Sequence, residues 1–170
     1  MLPVEAQGKT CALFIFMEVK IMLLIGLKNI GEQTVLATGQ VNIGNVYRRF
    51  CKANRCGVPA FTVTSNGVTL NHEGVYHITA TLVGTGETAG LVSVQLAENG
   101  ELVTGAISSE TITTATTEFR TFVIDYYVKV DEDCVLGFKT TGAKTISLVN
   151  TSDAIDATFT SVVLNVTKEV

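Results

Sequence analysis

The chain has no tryptophan, only two histidines and only two prolines, and charged residues make up just 16% of its 170 positions. Each shortage removes a class of function. A carbohydrate-binding module usually exposes aromatics on a flat face or in loops, and with zero Trp and four Tyr this reading is the weaker alternative. A cupin-like metal enzyme needs a His/Glu cluster. His72 and His77, five positions apart, do not make one, and that spacing puts them on opposite faces of any single strand. A Ser or Cys nucleophile therefore finds no evident base. Four cysteines are far too few for a small secreted disulfide scaffold, and they leave the redox compartment open. The net charge of -4, from 12 basic and 16 acidic side chains, gives no global field that would draw the protein onto nucleic acid or an anionic membrane. An average soluble chain carries roughly 25% charged residues, so some of this surface must be covered in another way, and oligomer contacts are the natural cover.

An uninterrupted apolar run is also missing. Cys11 to Leu27 reads CALFIFMEVKIMLLIGL, with Glu18 and Lys20 in its middle. Each central charge costs about 2.5 to 3.5 kcal/mol on the insertion scale, which disfavours a membrane span. The run has neither a basic n-region nor a small-residue cleavage site, so a secretory signal is not expected. Two readings of residues 1–21 stand open: a buried or assembly segment, and a stretch upstream of the true start, with Met22 opening a compact strand-like sequence. The sequons Asn150-Thr151-Ser152 and Asn165-Val166-Thr167 carry no weight, because such triplets arise by chance.

What is present is strand. From Thr34 onward, β-branched and aromatic residues alternate with polar ones between Gly, Asn and Asp punctuation. In Gly74 to Val83, Tyr76, Ile78, Ala80 and Leu82 point one way and His77, Thr79 and Thr81 the other. In Leu91 to Ala97, Val92, Val94 and Leu96 share a face, and Asn99-Gly100 reads as a tight hairpin turn. Glu118 to Val130 is predicted as one long strand with Phe122, Ile124, Tyr126, Val128 and Val130 on its core face. Its other face carries Phe119, Val123 and Tyr127, which mark a subunit interface because a two-layer sandwich uses only one face of each strand for its own core. Further strands are predicted at 34–43, 46–51, 60–64, 67–70, 101–107, 134–141, 145–149 and 157–167. About ten short strands without crossover helices describe an all-β jelly-roll sandwich.

The succession Gly67-Val68-Thr69-Leu70, Glu73 to Ala80, Val94-Gln95-Leu96 with Asn99-Gly100, the 118–130 strand and Val130 to Leu136 resembles the tumour necrosis factor and complement-head jelly roll. The G-x-Y-x-I-x-A strand is its best part, while the turn at Asp131-Glu132-Asp133 carries one extra acidic residue. The resemblance covers about residues 58–168 and makes 58–170 the jelly-roll domain, with 22–57 as N-terminal strands and a basic lead-in. It implies a homotrimer and carries no catalytic residues across. Short single-domain versions look like proteins that phages and bacteria place on surfaces: head fibres, decoration proteins and adhesins.

Tyr47, Arg48, Arg49, Phe50, Lys52 and Arg55 concentrate cations and aromatics in an otherwise acidic chain. They suit an anchor that grips phosphate, a carboxylate-rich particle surface or an acidic glycan, and equally a solvated strand that offsets the acidic turns. Cys51 and Cys56 form a candidate disulfide, with unlinked thiols and a zinc site as the other readings. Asp131, Glu132 and Asp133 do not supply the six to eight oxygens of a calcium site. No cofactor is expected. The sequence as a whole predicts a non-enzymatic binding or structural protein whose partners are itself and a larger particle, on a virion or bacterial cell surface.

Overall fold

The computed structural model describes residues 23–50, 59–135 and 138–169. Among them are thirteen strands and no helix: β1 (Leu24–Asn29), β2 (Gln33–Val35), β3 (Asn45–Phe50), β4 (Phe61–Thr64), β5 (Gly67–Leu70), β6 (Gly74–Gly86), β7 (Gly90–Glu98), β8 (Glu101–Ile112), β9 (Arg120–Val130), β10 (Glu132–Val135), β11 (Phe138–Thr141), β12 (Lys144–Asn150) and β13 (Ala157–Lys168). A first sheet runs β3-β1-β13-β6-β9, with β2 also on β13. A second runs β4-β5-β12-β7-β8, and β10 pairs with β11 alone. Neighbours are antiparallel throughout, so the chain is an all-β jelly roll.

The two sheets close on the side chains that alternation assigns inward. Tyr76, Ile78, Ala80 and Leu82 from β6 are fully buried, as are Val162, Leu164 and Val166 from β13 and Val92, Val94 and Leu96 from β7. Each large aliphatic buried this way contributes about 1.5 to 3 kcal/mol. Aromatic edges fix the packing: Phe122 meets Phe159 with centroids 6.0 Å apart, and Phe61 meets Tyr76 at 6.1 Å. β1 lies between β3 and β13, with Leu24 opposite Thr167 and Asn29 opposite Val162. β1, β2 and β3 thus share a sheet with the last strand.

The strand expected at 34–43 breaks after three residues. Thr38 takes a left-handed φ of 66° and the Gly39 N–H donates to the Leu36 carbonyl, so the segment turns and resumes beside β12. The strand expected at 134–141 is instead the β10–β11 hairpin. Asn99 and Gly100 have φ of 52° and 86°, which gives the β7–β8 turn its expected twist. At the core-facing end of β12, Asn150 is completely buried. Its Nδ2 donates to the carbonyls of Val35 and Ile155 at 3.0 Å and of Leu36 at 3.3 Å, and its Oδ1 accepts the Ser152 N–H. One carboxamide therefore joins the loops after β2 and β12.

The antiparallel registers give the sandwich two poles. Ala157 opposite Gly86 and Gly84 opposite Arg120 place the loops at 87–89, 113–119 and 151–156 at one. Leu24 opposite Phe50 and Thr167, with Gly74 opposite Val130, defines the other.

Candidate functional site

Phe119, Val123 and Tyr127 stand where sequence parity places them, out of the core. They are 45%, 57% and 57% exposed. Four positions apart, they form a stripe along one side of β9, spaced by about 13 Å. Val123 and Tyr127 belong to the strand, while Phe119 precedes it, because β9 begins at Arg120. The stripe continues across the first sheet: Val123 lies opposite Thr81, Thr81 opposite Val163, and Tyr127 opposite His77.

His77 and Asp125 meet on this outer face at 2.7 Å, and the His77 ring stacks on Tyr127 with centroids 4.6 Å apart and planes at 12°. Sequence separation hid this pair, because only the β6–β9 register brings the two residues together. His72 lies on the loop before β6, where its carbonyl accepts the Tyr76 hydroxyl at 2.8 Å. The two histidines thus occupy separate environments, as their spacing implied.

The loop leading into β9 is organised by one carboxylate. Glu118 accepts the Thr113 hydroxyl at 2.6 Å and the N–H groups of Thr113 and Thr114 at 2.7 and 2.9 Å, and it pairs with Arg120. These donors, the Thr113 hydroxyl foremost, hold its pKa down to about 2. Beyond β9, the Lys129 ammonium sits 2.6 Å from Asp131; the hydrogen bond and the opposite charge lower the carboxyl pKa and raise the ammonium pKa. Asp131 is thereby engaged within the acidic turn.

The basic segment forms an edge. Among the described residues β3 pairs with β1 alone, and all six of its residues are exposed. Tyr47 packs its ring over Gly26, where a β-carbon would come within 2.8 Å, and its hydroxyl donates to Asn165 Oδ1 at 2.6 Å. The Lys28 ammonium lies 5.6 Å from the same ring. Arg49 reaches across the open side of the sandwich and donates to the Phe61 carbonyl on β4 at 2.9 Å. Phe50 is 51% exposed. Lys52, Arg55, Cys51 and Cys56 lie outside the described residues, as do residues 1–21. Among the described residues no three His, Cys, Asp or Glu side chains are gathered to hold a metal, and no helix is long and apolar enough to cross a membrane.

No family model and no curated protein matches the chain. Solved structures do. The Eiger TNF of S. frugiperda superposes with a TM-score of 0.58 at 11% identity, covering 88% of this chain and 92% of its own. Murine APRIL gives 0.56 at 8% identity, covering 86% and 98%, and the globular domain of the zebrafish complement 1qA protein gives 0.54 at 10%, covering 87% and 98%. At identities this low the likeness is one of fold.

Proposed function

Because the chain has the tumour necrosis factor and complement-head jelly-roll fold, we propose that it is a non-enzymatic homotrimer that attaches to a larger assembly, a phage virion or a bacterial surface, as a fibre, decoration or adhesin component. One observation carries the reading: Val123 and Tyr127 are each 57% exposed on the outer face of a sheet whose inner face is already filled by Phe122, Ile124 and Val128. Surplus apolar side chains of this kind, next to a stacked His77, gain by being covered, at about 25 cal/mol for each Å² removed from water. A closed symmetric assembly covers them in every subunit at once.

The exposed edge strand β3 supplies the docking element, with Arg48 and Arg49 beside Tyr47 and Phe50 and with Lys52 and Arg55 following in sequence. Triplication turns weak contacts there into avidity. The contribution is adhesion or reinforcement without turnover.

Two measurements test this reading. The mass by light scattering at micromolar concentration is expected to be that of a trimer, and a monomer mass refutes the assembly. Replacing Arg48, Arg49, Lys52 and Arg55 together with Gln is expected to abolish co-sedimentation with the parent particle while the oligomer mass stays unchanged. Undiminished attachment removes the docking assignment.

A further inference from the structure

On the open side of the sandwich, where β3 and β4 end their sheets, lies a cleft of about 390 Å³ that borders the start of β3 at Asn45 and Val46 and contains none of the docking side chains. One wall comes from the end of β1 and the approach to β3, with Asn29, Asn42 and Asn45; the other comes from the β4–β5 turn, with Thr64 and Ser65. Val46 and Val63 complete the lining, which carries no charged side chain. We propose that this cleft binds a neutral, hydroxyl-rich ligand: a hexopyranose unit of a glycan.

The chemistry of the walls selects that class. Carboxamides and hydroxyls both donate and accept, as sugar hydroxyls do, whereas an uncharged wall gives an anion or cation no counter-charge. Val46, 40% exposed, and the half-buried Val63 offer an apolar ledge for the C–H edge of a ring. The volume falls at the lower end of the roughly 300 to 1,000 Å³ of ligand sites, enough for one or two sugar rings.

The cleft is also fixed in shape. The Ile43 N–H donates to the Ser65 carbonyl at 2.9 Å and so ties the two walls together. Asn29 Oδ1 accepts the Gly31 N–H at 2.9 Å, and its Nδ2 donates to the Asn42 carbonyl at 3.2 Å. Asn42 Oδ1 accepts the Gly44 N–H at 2.8 Å. Gly44 has a φ of +77°, and a β-carbon there would fall 2.1 Å from the Lys28 carbonyl, so this segment lies on β1 as only glycine allows. The Asn42 Nδ2, the Asn45 carboxamide and the Ser65 hydroxyl have no hydrogen-bond partner among the described residues. Rigid walls with polar groups left over are what a hydrogen-bonded ligand requires. With no aromatic platform, each site binds in the millimolar range, and repeated sites on a glycan raise the effective affinity.

The test uses the full chain, isotopically labelled, titrated with the methyl glycosides of glucose, galactose and mannose and with N-acetylglucosamine. At least one probe is expected to produce saturable shifts in the side-chain amide signals of Asn42 and Asn45. Asn45→Ala and Ser65→Ala, both at exposed positions, are expected to weaken binding about tenfold each, equivalent to about 1.4 kcal/mol, with the backbone spectrum unchanged. No saturable shift at these residues with any probe overturns the proposal, as does binding that survives both substitutions. A parallel titration with sialyllactose that gives tighter binding than every neutral probe, and loses it in Arg48→Ala, also overturns it, since the Arg edge would then be the binding element. The oligomer mass plays no part in this readout, so the sugar site and the trimer stand or fall separately.

Discussion

The outer faces of the two sheets are built on the same alternation and carry different side chains. On the second sheet, small hydroxyls satisfy one another, Thr69 with Thr145 at 2.8 Å and Ser93 with Ser109 at 2.7 Å, beside three large exposed apolar residues, Leu91, Leu102 and Ile107. On the first sheet, Val123, Val163 and Tyr127 are interleaved with His77, Thr79 and Thr81, and the Asp125 charge is drawn to His77. A hydroxyl lattice is content in water, whereas exposed apolar side chains on either sheet gain by being covered. Parity distinguishes inside from outside; among the outward apolar residues, Val123 and Tyr127 line up along β9, while Leu91, Leu102 and Ile107 are divided between β7 and β8.

That contrast breaks first along β9 itself, where neighbouring residues serve opposite sides. Phe122→Ala removes a fully buried ring and its edge contact with Phe159, with an expected loss of about 3 to 5 kcal/mol in urea unfolding. Val123→Ala, one residue on, is expected to change monomer stability by no more than about 0.5 kcal/mol. Next in size is the effect on assembly. Val123→Asp with Tyr127→Asp is expected to weaken association about a hundredfold or more by sedimentation, since covering the face would then bury unpaired carboxylates. Thr111→Asp, exposed on β8 of the other sheet, is expected to leave the mass unchanged.

A pH titration sharpens the comparison within the stripe. The Glu118 pKa is depressed from 4.5 to about 2, so its support of the 113–117 loop is complete above 4.5 and is lost as the pH falls towards 2. Over that window the signals of Thr113, Thr114 and the adjacent Phe119 are expected to move by NMR while those of Val123 hold, and Glu118→Gln should reproduce the change at neutral pH. The smallest effect belongs to the hydroxyl lattice. Thr69→Val with Thr145→Val deletes both partners of an exchangeable pair and is expected to shift stability by less than about 1 kcal/mol in thermal unfolding.

Strand alternation made much of this molecule readable in advance. The inward set on β6, the Asn99-Gly100 turn and the outward Phe119, Val123 and Tyr127 all follow from side-chain period and turn chemistry. The break at Thr38 does not, because a β-branched residue rarely adopts a left-handed φ and nothing local announces it. Asn150 read only as part of a sequon; its role depends on carbonyls of residues 35 and 36, which tertiary packing alone brings near. The His77–Asp125 pair needed a register between strands 48 positions apart, and the amide-lined cleft gathers residues from three separate stretches of chain. Such sites arise from pairing, which composition and period do not specify.

The two poles make the sandwich a vectorial object for protein engineering. Leu24 and Lys168 lie at one pole, while Glu87-Thr88-Ala89 forms an exposed loop between long strands at the other. A peptide grafted between Thr88 and Ala89 would be held about as far from a C-terminal fusion as the fold allows, presented on a stiff stem and clear of the outer face centred on Tyr127.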